Sequence, residues 1–317
     1  MKKVACTFRN TQKLLCAEAQ QMLRDAGFEL VCNNTPQKLT REQQKEMIRD
    51  AYGIIAGTEP YDEDMLSAAP HCRVIVRFGV GLDNFDLEAM KRRGIHVGVI
   101  ANYNAVAEFA LTLMLGALKY LPQHDAVVRR GQWNRYSCRE LTGKTVGLVG
   151  FGRIGSRLAQ LLQGFGVTLL VYDPYVAQER VAALGGEKVS LEQLLGRSDI
   201  VSLHLPATPQ TKHLINSAAI AQMKDGAYLI NTARGALVDE NALVDALRRG
   251  KLSGAGLDVF ESEPVAADHP LLSLENVVVA PHAAAQTWET NYNGGLIAAQ
   301  SILQAWDGGA PLYPVKL

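Results

Sequence analysis

Apolar runs alternate with amphipathic ones from the start of the chain. "KVACTF" (3–8) is strand-like, and "TQKLLCAEAQQMLRDAG" (11–27) has helical spacing with Gly27 as its C-cap. "FELVCN", a helical "REQQKEMIRD", strand-like "GIIAG" (53–57), a short helix near 62–68, "RVIVRF" (73–78), "DLEAMKRRG" and "IHVGVI" follow. Such alternation predicts a mostly parallel sheet covered by helices on both faces.

A long helical stretch, roughly 104–130, interrupts the rhythm. Alternation restarts at "KTVGLVG" (144–150) and continues through "VTLLVYD" (167–173), "IVSLHLP" (200–206), "AYLINTA" (227–233), "GAGLDVF" (254–260) and "VVVAP" (277–281). The pattern predicts an α/β protein with two doubly wound parallel-sheet domains. Residues 1–100 with 286–317 form one, and 101–285 form a second inserted into it. The last helical stretch (286–306) is expected to pack back on the first.

Composition narrows the options. Hydrophobic residues are 48% and charged residues 20%, and the formal net charge is zero. Nucleic acid and acidic membrane surfaces are therefore not expected partners, since both need clustered positive charge. The odd set Cys6, Cys16, Cys32, Cys72 and Cys138 has no Cys-x-x-Cys spacing, so free thiols in a cytoplasmic setting and no metal site are expected. The apolar run of "MKKVACTFRN" stops at Arg9, too short for a signal-peptide core. "FALTLMLGAL" (109–118) falls short of the roughly 20 residues that span a bilayer and reads as a buried helix.

"TVGLVGFGRIGSRLAQLLQ" holds Gly150-x-Gly152-x-x-Gly155 directly after a strand and opening a helix. Glycines there suit a tight turn and close backbone approach to a pyrophosphate, and the helix N-terminus favours an anion. Asp173 ends the next strand, 18 residues beyond Gly155. A carboxylate there can accept from ribose hydroxyls and repel a 2′-phosphate, and "PYVAQE" after it has no arginine to hold one. The expected cofactor is NAD, bound by a Rossmann-type domain.

In a doubly wound sheet, ligands bind beyond the carboxyl ends of the strands. Arg234 follows "AYLINTA", Glu263 follows "LDVFESE", and His282 follows "VVVAP". Arg234 can hold a carboxylate bidentately and polarise a carbonyl. His282 can give a proton to a keto oxygen or take one from a hydroxyl. Glu263 can hydrogen-bond the far ring nitrogen of His282. Alone, each also has a bland reading: a turn arginine, a solvated loop glutamate beside Glu261, a structural histidine. Position at successive strand ends favours the joint one.

These residues stand in segments that resemble the D-isomer-specific 2-hydroxyacid dehydrogenases over nearly the whole chain. The segments are "RFGVGLDNFD" (77–86), "NAVAEFALTLML" (104–115), "GKTVGLVGFGRIG" (143–155), "SDIVSLHLPATPQTKHLIN" (198–216), "LINTARGALVDENALVDAL" (229–247), "GLDVFESEP" (256–264) and "PHAAAQT" (281–287). The resemblance implies a flavodoxin-like substrate domain around a Rossmann cofactor domain, a cleft between them, and a homodimer joined through the cofactor domains and the 104–130 region. It implies Arg234, Glu263 and His282 as the catalytic set. It implies cofactor contacts from Gly150, Gly152, Arg153, Ile154, Gly155, Asp173, His204, Pro206, Thr211, Thr232, Ala233, Arg234, Asp258, His282 and Ala284. Val80 and Gly81 are expected to take the substrate carboxylate with Arg234 and His282.

The implied reaction is hydride transfer between nicotinamide and a D-2-hydroxy acid or 2-keto acid, with short phosphoglycerate dehydrogenase-like members most similar. 3-Phosphoglycerate dehydrogenase and a non-catalytic, NADH-sensing co-repressor-like protein are the alternatives. Two departures bear on the substrate. "GTEPYDED" (57–64) has Glu59 where phosphoglycerate enzymes tend to carry an arginine, and Ala283-Ala284-Ala285 follow His282 where relatives often have glycine or serine. The end at Leu317 is expected to leave no room for the regulatory domain of long forms. Arg77 reads equally as a substrate contact or a structural ion-pair partner. Trp288 reads as packing against the last helix or as a pocket wall.

Overall fold

The computed structural model describes residues 2–9, 11, 15–100 and 103–317. Contacts divide the chain into two compact units, Met1–Asn102 with Gln286–Leu317, and Tyr103–Ala285.

The first unit carries β1 (Lys2–Cys6), α1 (Ala17–Asp25), β2 (Phe28–Cys32), α2 (Arg41–Ile48), β3 (Ala51–Ala56), α3 (Glu63–Ser67), β4 (Val74–Arg77), α4 (Leu87–Arg92) and β5 (His96–Val99). Its strands are parallel, in the order β2-β1-β3-β4-β5, the flavodoxin-like doubly wound order. All six residues of central β3 are buried, the continuous apolar signature of a strand covered on both faces. Separate apolar clusters fill the two sides of the sheet. The final helix, Trp288–Trp306, contributes Ala298, Ala299 and Ile302 to one of them. Trp288 itself is 87% exposed, so the expected packing of its indole does not occur. Of the stretch expected to be helical from 11, Thr11 is helical, 12–14 lie outside the described residues, Leu15 and Cys16 interrupt the helix, and α1 runs from Ala17.

The second unit begins with α5 (Tyr103–Leu118) and α6 (Leu121–Arg129). These correct the single helix expected over 104–130: the two are bent by 63°. Tyr120 adopts φ +48, and Pro122 in the first turn of α6 has no N–H for a continuing ladder. No single helix among the described residues is long and apolar enough to cross a membrane.

The unit continues with β6 (Thr145–Val149), α7 (Arg153–Leu162), β7 (Thr168–Tyr172), α8 (Gln178–Ala182), β8 (Gly186–Lys188), α9 (Leu191–Arg197), β9 (Ile200–Leu203), α10 (Ser217–Gln222), β10 (Ala227–Asn231), α11 (Glu240–Arg248), β11 (Leu252–Leu257) and β12 (Val277–Val279). The parallel sheet runs β12-β11-β10-β9-β6-β7-β8. Counted from β6, this is the Rossmann order 3-2-1-4-5-6 with one further strand on its edge. Short β8 was invisible in the sequence because "GEK" has no apolar residue. The strand before His282 is not the buried strand its valines suggest. β12 lies on the sheet edge, and Val279 is exposed.

Candidate active site

The topology brings the predicted residues of this unit to one edge of its sheet, beyond the carboxyl ends of β6, β7, β9, β10, β11 and β12. The three loop glycines differ in their surroundings. Gly150 has φ +99, and a Cβ there would lie 2.5 Å from the His204 carbonyl oxygen. A Cβ at Gly155 would collide with the carbonyl oxygen of Gly150, so helix and turn touch only because no side chain intervenes. A Cβ at Gly152, the N-cap of α7, would meet nothing within 4 Å. The first and third glycines close the turn, and the second leaves space at the N-terminus of α7, the end of a helix that favours an anion.

Asp173 follows β7. Its Oδ2 accepts the Phe151 N–H at 2.8 Å and its Oδ1 that of Tyr175 at 2.9 Å, so the carboxylate is fastened to the glycine loop. Each oxygen keeps a second lone pair for a ribose hydroxyl.

His204 follows β9 and lies against the glycine turn. Its Nε2 is 2.9 Å from Ser202 Oγ, and its buried Nδ1 has no partner among the described residues. Burial lowers the imidazole to about 4. The unfolded chain, with an ordinary histidine near 6.5, binds the proton first as pH falls. Stability should therefore be full above about 6.5 and drop as pH falls toward about 4, by up to about 3 kcal/mol. Urea midpoints at both ends of that window should diverge for the wild type and converge for His204→Gln. Pro206 is exposed, and its carbonyl oxygen accepts the Thr211 hydroxyl at 2.8 Å, closing the loop after β9.

At the end of β10, the Asn231 side chain accepts the Ala233 N–H at 3.0 Å and donates to the Arg234 carbonyl oxygen at 2.9 Å. It shapes the Thr232-Ala233-Arg234 turn and went unnoticed in the sequence, although an asparagine at a strand end is a turn signal. Thr232 Oγ1 is buried without a partner among the described residues. Arg234 Nη1 donates to the Ala233 carbonyl oxygen at 2.6 Å. A Cβ at Gly235 would run into the backbone of Phe260 and Glu261, so the loop bearing Arg234 lies directly on the loop bearing Glu263.

That second loop holds the clearest piece of chemistry. His282 Nδ1 donates to Glu263 Oε2 at 2.7 Å, and Glu263 Oε1 accepts the Phe260 N–H at 3.1 Å. The carboxylate fixes the ring tautomer and leaves Nε2 for another partner. His282 has φ +54, a costly backbone for a residue with a Cβ. Asp258 imposes it. Its carbonyl oxygen accepts the His282 N–H at 2.8 Å, and its carboxylate accepts the N–H groups of Ala283 at 2.7 Å and Ala284 at 2.9 Å. Burial pushes the Asp258 carboxyl up, and those two N–H groups pull it back. Ala284 is 4% exposed.

A further layer supports the loop and was missed in the sequence. Glu240 Oε1 accepts the Glu261 N–H at 2.8 Å, His269 Nε2 lies 3.0 Å from Glu240 Oε2, and His213 Nε2 pairs with Glu261. Glu261, bland in sequence, thus takes part in the support through its backbone N–H and its pairing with His213, while its side chain stays exposed. Nothing local marked Glu240, which sits in the first turn of α11.

Two predicted residues belong to the first unit. Val80 and Gly81 lie in the turn after β4, where Val80 is exposed. Arg77 donates to the carbonyl oxygens of Phe78 at 2.6 Å and Gly81 at 3.1 Å, which gives it a structural role in that turn.

A glycine-turn dinucleotide fold with an imidazole–carboxylate pair at its strand ends defines a class of nucleotide-dependent protein, and comparison with known proteins narrows it. Residues 111–284 match the family "D-isomer specific 2-hydroxyacid dehydrogenase, NAD binding domain". The chain is 44% identical over 259 residues to D-3-phosphoglycerate dehydrogenase of Mycobacterium bovis, covering 80% of this chain and 49% of that protein. It is 43% identical over 267 residues to glyoxylate reductase of Aeropyrum pernix, covering 80% and 79%. The solved glyoxylate reductase of Paecilomyes thermophila superposes with a TM-score of 0.88 at 31% identity, covering 99% of this chain and 98% of that one. The chain belongs to the D-isomer-specific 2-hydroxyacid dehydrogenase family, and its cofactor is NAD. It spans about half the length of the mycobacterial phosphoglycerate dehydrogenase.

Proposed function

We propose that this protein is an NAD-dependent oxidoreductase acting on a D-2-hydroxy acid and its 2-keto acid. The observation that carries the reading is the 2.7 Å His282–Glu263 pair at the same sheet edge as the glycine turn. The open space at Gly152 and the unpartnered Thr232 Oγ1 and His204 Nδ1 suit a polar cofactor along that edge. The bound nicotinamide supplies or accepts the hydride. His282 gives its Nε2 proton to the keto oxygen in reduction and takes the hydroxyl proton in oxidation. Glu263 holds the ring and faces its positive form. Arg234 binds the substrate carboxylate. The test is NADH oxidation with glyoxylate, hydroxypyruvate, pyruvate and branched 2-keto acids. NADH binding without turnover of any of them would count against the reading.

The relatives' names leave a phosphorylated and an unphosphorylated substrate as the two choices. Glu59 speaks less strongly against a phosphate than its sequence position suggests. Its Oε2 is buried, and burial pushes the carboxyl up toward the neutral form. The phosphorylated three-carbon keto acid therefore belongs in the panel.

Asp173→Ala should weaken NADH binding by about tenfold or more, the worth of hydrogen bonds to a charged group. It should also narrow the preference over NADPH. Paired titrations with both cofactors decide this, and a wild-type preference for NADPH would overturn the ribose assignment. A homodimer joined through the second unit is the proposed assembly. Leu121 (63% exposed) and Trp133 (76%) give α6 and the segment after it the apolar surface of an interface. Trp133→Ser should shift the mass measured by light scattering toward the monomer. The five cysteines are free, which suits a reducing compartment such as the cytoplasm.

A further inference from the structure

Two of those cysteines are adjacent in space. Cys6 ends β1, Cys32 ends β2, and the two are register partners on neighbouring parallel strands. Such strands lie about 4.8 Å apart, within the roughly 4.4–6.8 Å between Cα atoms that a disulfide bridges. Register partners project to the same face of the pleat, and both side chains join the same apolar cluster.

Their environments differ in a useful way. Cys6 is fully buried, and burial pushes its thiol well up. Cys32 is partly exposed, on the edge strand. Its thiol is pulled down, first by the hydrogen bond from Cys6 and then by the Arg24 charge. A partly exposed thiol whose ionisation is eased, beside a buried thiol whose ionisation is opposed, is the arrangement of an attacking and a resolving cysteine. The other cysteines offer no such pair. Cys16 joins the same cluster but turns its Sγ to the Tyr292 carbonyl oxygen at 3.6 Å. Cys72 is buried in a different cluster, and Cys138 belongs to the second unit.

We infer that Cys6 and Cys32 form a reversible disulfide when the protein meets a hydroperoxide. The Cys32 thiolate attacks the peroxide, the O–O bond breaks, and the departing oxygen takes a proton to leave as alcohol or water. Cys32 becomes a sulfenic acid. The Cys6 sulfur then attacks the Cys32 sulfur, the S–O bond breaks, and hydroxide leaves with the Cys6 proton as water. Two thiols and one peroxide give one disulfide, one water and one alcohol or water. An external dithiol reverses the bond. The inference does not depend on the proposed dehydrogenase activity.

The experiment treats the full chain with stoichiometric hydrogen peroxide, blocks free thiols, digests with trypsin without reduction and reads the peptides by mass spectrometry. The expected product joins peptide 4–9 to peptide 25–38, lighter than their sum by two hydrogens and separated by dithiothreitol. Cys16→Ser should leave it unchanged. Cys6→Ala should leave Cys32 as a sulfenic acid that a dimedone probe captures. A bridge from Cys32 to Cys16 instead, or Cys32 unmodified while Cys138 oxidises, would overturn the inference on the wild-type map alone, whatever the variants do.

Discussion

Replacing His282 with alanine is expected to lower kcat for keto-acid reduction by about 10²–10⁴-fold, the usual worth of a positioned general acid, with NADH affinity changed little. The asymmetry follows from where the ring is held. It is anchored on one side by Glu263 and through its backbone by Asp258, while the glycine turn and Asp173 are built without it. Alanine removes the proton donor and leaves the His282 N–H on the Asp258 carbonyl oxygen. Glu263→Gln should cost less, because an amide oxygen can still accept from Nδ1 while the negative charge is lost. Steady-state kinetics with a fluorescence titration of NADH separate the two effects. If kcat survives in His282→Ala, or falls only in step with cofactor binding, the proton-transfer role is gone.

The second large effect is expected at a residue with no side chain. Gly235→Ala would drive a Cβ into the peptide between Phe260 and Glu261. Neither backbone can yield easily. Asn231 holds the Arg234 side of the contact, and Glu240 holds Glu261 on the other. Relief means separating the two loops, at a cost at or above about 3 kcal/mol, the upper range for overpacking. The separation also draws Arg234 away from Glu263, so activity should fall further than stability alone explains. Gly152→Ala is the matched control, because its added methyl meets nothing within 4 Å. Chemical denaturation of the two variants side by side tests the argument. A Gly235→Ala protein with the wild-type midpoint would refute it.

The central strands and the glycine turn were legible in the sequence because their signals are local: unbroken apolar runs, a glycine spacing, an acid at the next strand end. The proposed catalytic residues were legible because a doubly wound sheet sends every strand end to one edge. What stayed hidden depends on contacts between segments distant in the chain. The break at Tyr120 lies inside an otherwise helical pattern, and only Pro122 hinted at it. β8 forms because β7 offers an edge, without any propensity of its own. The valines before His282 promised a buried strand, yet the sheet ends there. Glu240 reaches Glu261 across 21 residues, a partnership that no window of sequence contains.

The grip of Asp258 on the residues after His282 also bears on how the site can change. Ala284 is enclosed and has its N–H committed to the carboxylate, so a larger residue there would pry the histidine loose. Ala283 spends only its backbone on that grip, and both Ala283 and Ala285 retain some exposure. Substitutions at 283 and 285 can therefore be made without breaking that grip, while 284 stays closed to variation. Within one run of three identical residues, the fold separates the positions free to diverge from the one that is not.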